Sequence, residues 1–124
     1  MMKRVAVVED NPDNLLLVEA ILGAHYEIVS YENGPDALAA LPDLNVSAVL
    51  LDISLPLMDG VAVLKAMKED EKLKTLPVIA LTAHAMVGDR ERYLAEGFDE
   101  YYTKPIVDFD EFIEVIEKVI SAAS

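Results

Sequence analysis

A chain of 124 residues is long enough to bury one hydrophobic core, and without cysteine it has neither disulfide staples nor a thiolate metal site. Its 23 acidic and 10 basic side chains leave a formal charge of −13, a field that repels nucleic-acid phosphates and anionic lipid, with no Lys/Arg cluster to reverse it locally. No apolar run approaches a membrane span and Met1-Met2-Lys3-Arg4 opens no secretory pattern, so the expectation is one soluble, cytoplasmic domain over residues 1–124.

Five short apolar runs alternate with helical patterns. Val5-Ala6-Val7-Val8 is apolar on both faces, as a central parallel strand is, and stops at Glu9-Asp10-Asn11-Pro12. Asn11 is a helix cap with Pro12 in the first turn, and Leu15 through Leu22 carry that helix to Gly23. Tyr26 to Tyr31 reads as a second strand; Asn33-Gly34-Pro35 then turns the chain into a short helix through Asp36, Ala37, Leu38 and Leu41. Ala48-Val49-Leu50-Leu51 is the third strand, ending at Asp52. The loop Leu55-Pro56-Leu57-Met58-Asp59-Gly60 leads into a helix from about Val61 to Lys68, and the mixed charges from Glu69 to Lys74 form a solvated connection.

Pro77 to Leu81 is the fourth strand, ending at Thr82, and a fourth helix is expected from about Val87 to Glu96, closed by Gly97. Tyr101-Tyr102-Thr103 is a short fifth strand stopping at Lys104-Pro105. In the last helix Asp108 and Glu111 stand at capping-box spacing, and Phe109, Phe112, Ile113, Ile116 and Ile120 form one apolar stripe. The alternation predicts an α/β fold, a parallel sheet covered by helices on both faces, with right-handed crossovers. Ligands of such sheets bind beyond the carboxyl ends of the strands.

Those ends carry chemistry. Glu9-Asp10 follows the first strand, Asp52 the third, Thr82 the fourth and Lys104 the fifth, which brings three carboxylates, a hydroxyl and an ammonium to one sheet edge. Each alone has a bland reading as a cap, turn or solvated residue; it is the set that points to function. Two carboxylates about 4 Å apart repel by roughly 4 kcal/mol at an effective dielectric of about 20, so three together raise one another's pKa values or recruit a cation. Hard oxygen donors in small number suit magnesium, which keeps its waters and shares phosphate oxygens. A carboxylate beside a metal and an ammonium is a competent nucleophile toward phosphorus.

At these positions the chain resembles the receiver domains of bacterial response regulators, over essentially its whole length. Glu9-Asp10 is similar to the family's acidic pair, Asp52 to its phospho-acceptor, Thr82 to its hydroxyl residue and Lys104-Pro105 to its lysine-proline pair. Leu55 to Gly60 matches the L-P-x-M-D-G loop, and Gly97-Phe98-Asp99-Glu100-Tyr101 resembles the segment before the lysine. The resemblance implies a five-stranded, doubly wound, flavodoxin-like sheet of order 2-1-3-4-5, the order of the family's chemotaxis regulator. It implies Mg2+ held by Asp10, Asp52 and the Ser54 carbonyl, with Glu9 acting through water. Thr82 and Lys104 would hold phosphoryl oxygens, Thr82 and Tyr101 would form the switch pair, and the Lys104-Pro105 bond is of a kind often cis. Ser54 and His84 occupy the positions that tune hydrolysis in relatives. The implied partners are a histidine kinase or histidine phosphotransfer protein as donor, and a downstream protein on the face of the fourth helix, fifth strand and fifth helix.

The implied function is phospho-acceptance in a two-component system, not turnover of a separate substrate. Haloacid-dehalogenase-like phosphatases also use an aspartate after a strand, but need a second aspartate two residues on, where this chain has Ser54. A flavodoxin-like cofactor binder lacks support, since no Ser/Thr/Gly-rich phosphate loop follows Val8. A receiver that binds partners without phosphorylation is the remaining alternative. His25 and His84, with no spaced third ligand, read as a solvated histidine and a loop residue, and Met58, Met67 and Met86 as packing. The chain ends soon after its fifth helix, which leaves a stand-alone regulator and the receiver of a longer protein equally open.

Overall fold

A computed structural model describes residues 2–83 and 86–123. Among them five strands, Arg4–Val8 (β1), Glu27–Tyr31 (β2), Ala48–Asp52 (β3), Val78–Thr82 (β4) and Glu100–Thr103 (β5), alternate with five α-helices. These are Pro12–Leu22 (α1), Gly34–Ala40 (α2), Gly60–Lys68 (α3), Asp89–Glu96 (α4) and Phe109–Ala123 (α5). All pairings are parallel, in the order β2-β1-β3-β4-β5, as the sequence pattern predicts. The three middle strands are buried almost from end to end because helices cover both faces, whereas the edge strands β2 and β5 are half-buried.

Strand alternation divides the core into two layers. Ala6, Val8, Val49, Leu51, Val78 and Ala80 face α2 and α3, together with Tyr93 and Phe98. Val5, Val7, Ala48, Leu50, Ile79 and Leu81 face α1 and α5, meeting Val18, Leu22, Phe112, Ile116 and Ile120. The caps are those the sequence suggests. The Asn11 side chain accepts from the Asp13 and Asn14 N–H groups, and Asp108 accepts from the Glu111 N–H at 2.9 Å.

Four expectations need correction. The fourth helix starts at Asp89 rather than near Val87, because Gly88 sits at φ +88, outside the helical basin. Met86, expected to pack, is exposed in the turn that precedes it. Phe109, expected in the buried stripe, is 47% exposed, since it is the first residue of α5 and precedes the turn anchored by Phe112. The second helix does not run smoothly to Leu41 but tightens into a 3-10 turn at Leu41–Asp43, where Pro42 has no N–H for an α-helical bond. His84 lies outside the described residues, as do Met1, Ala85 and Ser124.

Candidate functional site

Parallel pairing sends every strand's carboxyl end to the same edge, so residues far apart in sequence converge there. Asp52 closes β3, Thr82 closes β4, Glu9 follows β1 and Lys104 follows β5. Glu9, Asp52 and Thr82 are buried; Asp10 is exposed and leaves the cluster open on one side. Ser54, two residues past Asp52, is exposed as well.

Lys104 ties the cluster together. Its Nζ donates to Asp52 Oδ2 at 3.1 Å and to Glu9 Oε1 at 3.0 Å. The other Asp52 oxygen, Oδ1, accepts the Ser54 N–H at 3.0 Å, so both ends of the carboxylate are held. Glu9 Oε2 accepts the Asn11 N–H at 3.3 Å, which links the buried acid to the cap of α1. The Lys104 N–H donates to the Thr82 carbonyl at 2.7 Å, docking the end of β5 beside β4, and the Lys104-Pro105 peptide bond is cis.

The loop between Asp52 and α3 folds back tightly on the strand end. A Cβ on Gly60 would lie 2.5 Å from the Asp52 carbonyl oxygen and 2.8 Å from the Ile53 Cα, so only glycine fits. The Gly60 N–H donates to the Ile53 carbonyl at 2.9 Å, and Asp59 caps α3 by accepting the Ala62 N–H at 2.8 Å. In the same loop Leu57 stands at φ +70 with its side chain 82% exposed.

The electrostatics are those of a site short of positive charge. Burial, and then contact with Asp52, push the Glu9 carboxyl up to about 7, even though Lys104 pulls the other way. For Lys104, burial disfavours the charge, but Glu9 and Asp52 outweigh it and its pKa rises above 10.5. Among the described residues one ammonium, paired with Glu9 and Asp52, stands beside a cluster of three carboxylates. Glu9, Asp10 and Asp52 each offer an oxygen, all within 4.8 Å of one another. Among the described residues the donor set is all oxygen, and with its surplus negative charge and one open side it fits a hard divalent cation such as magnesium.

Tyr101 lies opposite Ala80 in the β4–β5 register, two residues before the level of Thr82 and on the same face of the sheet. It is half-buried and stacks on Tyr93 of α4, with ring centroids 5.7 Å apart and planes inclined by 23°. Thus the structure brings Glu9, Asp10, Asp52, Ser54, Thr82 and Lys104 to one edge, with Tyr101 on the adjoining face. Sequence reasoning missed the direct Glu9–Lys104 ion pair and the Tyr93 contact. The only local signal for the latter is one aromatic residue within the polar run Asp89-Arg90-Glu91-Arg92-Tyr93.

Comparison with known proteins agrees with this geometry. Residues 5–117 match the family described as the response regulator receiver domain. The polar-differentiation response regulators DivK of Brucella ovis and Brucella suis are 40% identical over 124 residues, covering 99% of this chain and all of theirs. The receiver domain of the sensor histidine kinase PA1611 from Pseudomonas aeruginosa, solved with a magnesium ion coordinated in its active-site cleft, superimposes with a TM-score of 0.88. It is 31% identical and covers 98% of this chain and 99% of its own. The chemotaxis protein CheY4 of Vibrio cholerae shares the fold at a TM-score of 0.86 with 23% identity, covering 96% of this chain and 99% of its own.

Proposed function

This chain belongs to the response regulator receiver domain family, and on that premise we propose that it accepts a phosphoryl group on Asp52 from a phosphohistidine donor and alters partner binding in consequence. The observation that carries the reading is the double hold on Asp52, by the Ser54 N–H on one oxygen and Lys104 Nζ on the other, at a mouth left open by exposed Asp10. A carboxylate fixed in rotation and flanked by a cation is oriented for in-line attack on phosphorus.

In this mechanism an Asp52 oxygen forms a bond to phosphorus as the bond to the donor's imidazole nitrogen breaks, and that nitrogen keeps the electron pair. Lys104 neutralises charge on a phosphoryl oxygen, and the Thr82 hydroxyl donates to another. Asp10, Asp52 and the Ser54 carbonyl would hold magnesium, with Glu9 acting through water, and the ion would supply the remaining positive charge. The magnesium in the Pseudomonas receiver's cleft and the surplus of carboxylates here both support that assignment. Ser54 and His84 tune hydrolysis of the acyl phosphate. The chemistry is the domain's own phosphorylation and dephosphorylation, because Ser54 replaces the second aspartate a phosphatase of this geometry needs.

The donor is a histidine kinase or histidine phosphotransfer protein, and residues 1–124 act as one receiver domain in the cytoplasm. No helix among the described residues is long and apolar enough to cross a membrane. Leu57, Met86, Val87 and Val107 stand exposed on the loops after β3, β4 and β5, and Leu16 of α1 and Phe109 at the start of α5 are exposed as well. Exposed apolar side chains on loops at the edge of the sheet that carries Asp52 support docking of a protein donor rather than service to small phosphodonors alone. Output runs through the face of α4, β5 and α5. When the Thr82 hydroxyl moves toward the phosphoryl group, Tyr101 takes up the space behind it.

The test is incubation with acetyl phosphate and magnesium, followed by mass spectrometry. One phosphoryl group on Asp52, absent from Asp52→Asn, is the expected result. Label on another residue, or equal label in Asp52→Asn, overturns the reading.

A further inference from the structure

α4 and β5 are joined by more than the packing of a helix against an edge strand. The rings of Tyr93 and Tyr101 stack across the junction, and Tyr93 is only 6% exposed. The Arg92 guanidinium lies 4.6 Å from the centre of the Tyr93 ring and donates to its hydroxyl at 2.7 Å, pinning that ring in place. One turn earlier on the helix, Arg90 pairs with Glu100 at 2.8 Å. The same Glu100 oxygen, Oε1, accepts the backbone N–H of Tyr101 at 3.0 Å. Tyr101 is therefore gripped twice from α4, by its ring through Tyr93 and by its backbone through an ion pair.

We propose that Tyr93 and the Arg90–Glu100 pair form a latch that holds Tyr101 against α4 and sets how readily the domain switches. The inference rests on Tyr101 being the switch residue of the proposed function, and it assigns positioning roles to three residues outside the phosphorylation site. Thr82 lies on the same face as Tyr101, two residues further along the neighbouring strand. For Tyr101 to move toward Thr82 its ring must slide off Tyr93, so the switched conformation forfeits the stack. A contact made in only one of two conformations opposes any ligand that favours the other. By reciprocity, loosening the latch raises the affinity for that ligand by the same factor. A stacked aromatic pair corresponds to a change of about two- to tenfold, and a partly exposed ion pair to about five-fold at most.

The experiment uses the full chain with magnesium, titrated with beryllofluoride as acyl-phosphate mimic. The chain's five tyrosines carry fluorine labels, and NMR follows the Tyr101 resonance. In Tyr93→Leu the mimic is expected to bind about two- to tenfold more tightly, with the Tyr101 resonance displaced even before mimic is added. Glu100→Gln keeps an acceptor for the Tyr101 N–H but loses the ion pair, and a smaller rise is expected. Being half-exposed, this second variant decides the matter if Tyr93→Leu does not fold. Thermal melting separates the latch from simple damage, because a merely structural lesion lowers stability without raising affinity for the mimic. Unchanged or weakened binding in both variants, with Tyr101 moving normally in the wild type, overturns the latch and leaves the switch standing. If the mimic binds the wild type and Tyr101 stays unmoved, the switch itself falls and the latch with it.

Discussion

Glu9 offers the most direct measure of how much negative charge the site stores. Its side chain is buried, and its carboxyl is raised from 4.5 to about 7, first by burial and then by Asp52. The folded domain thus binds this proton more tightly than the unfolded chain does. The stability so conferred is fully present below pH 4.5 and is lost as pH rises through about 7. At about 1.4 kcal/mol per tenfold change in proton affinity, ionising Glu9 without a metal costs about 3 kcal/mol. Glu9→Gln removes that cost and keeps a carbonyl oxygen within reach of Lys104. Lys104 stays charged throughout this range, because its raised pKa puts any loss of its own contribution above pH 10.5. The assay is urea unfolding in EDTA at intervals from pH 5 to 8.5, comparing wild type with variant so that the other carboxylates cancel. The variant is expected to gain on the wild type with rising pH, by about 3 kcal/mol at pH 8, and excess magnesium should narrow the gap. Parallel stability curves for the two proteins refute the reasoning.

Three further outcomes are expected. Asp10→Asn removes an exposed carboxylate from a repulsive cluster, so thermal melting in EDTA should show a fold no less stable. Calorimetry should show magnesium affinity reduced more than about tenfold, the loss that even outer-shell partners produce; unchanged affinity excludes the ligand role. Ser54→Gln places a longer side chain beside the acyl phosphate and is expected to lengthen its half-life several-fold, followed by loss of label after the donor is removed; an unchanged decay rate rejects the assignment. Leu57→Gly relieves a left-handed backbone at an exposed position and should stabilise the domain by about 0.5–1 kcal/mol in chemical denaturation, the relief being partly offset by unfolded-chain entropy. A destabilised variant means that the Leu57 side chain makes contacts that outweigh its backbone.

Much of this protein is legible in its amino-acid sequence, for reasons of range. The alternation of apolar runs with helical patterns is a short-range signal, and the caps Asn11 and Asp108 act over two or three residues, so β1 to β5 and most helix ends stand where the pattern puts them. Once the strands are parallel, Glu9, Asp52, Thr82 and Lys104 must share an edge, because each follows or closes a strand. Near its ends the pattern fails. Gly88 is compatible with a helix in sequence but not at φ +88, and Phe109 keeps the helical period while lying beyond the buried turns of α5.

What tertiary structure alone decides is which atoms meet at that edge. Lys104 reaches Glu9, 95 residues away, as well as Asp52, because β5 ends where its long side chain can extend to both acids. That shared cation, set against burial and the nearness of Asp52, determines how Glu9 titrates. Gly60 is required by the approach of α3 to the Asp52 carbonyl, and Tyr101 is held by Tyr93 and Glu100 across the α4–β5 junction. Periodicity records which face of an element is apolar; it does not record the distance between polar atoms on different elements. A hydrogen bond near 3 Å requires that distance to be set to within tenths of an ångström, and only the packed layers and the register of the sheet set it.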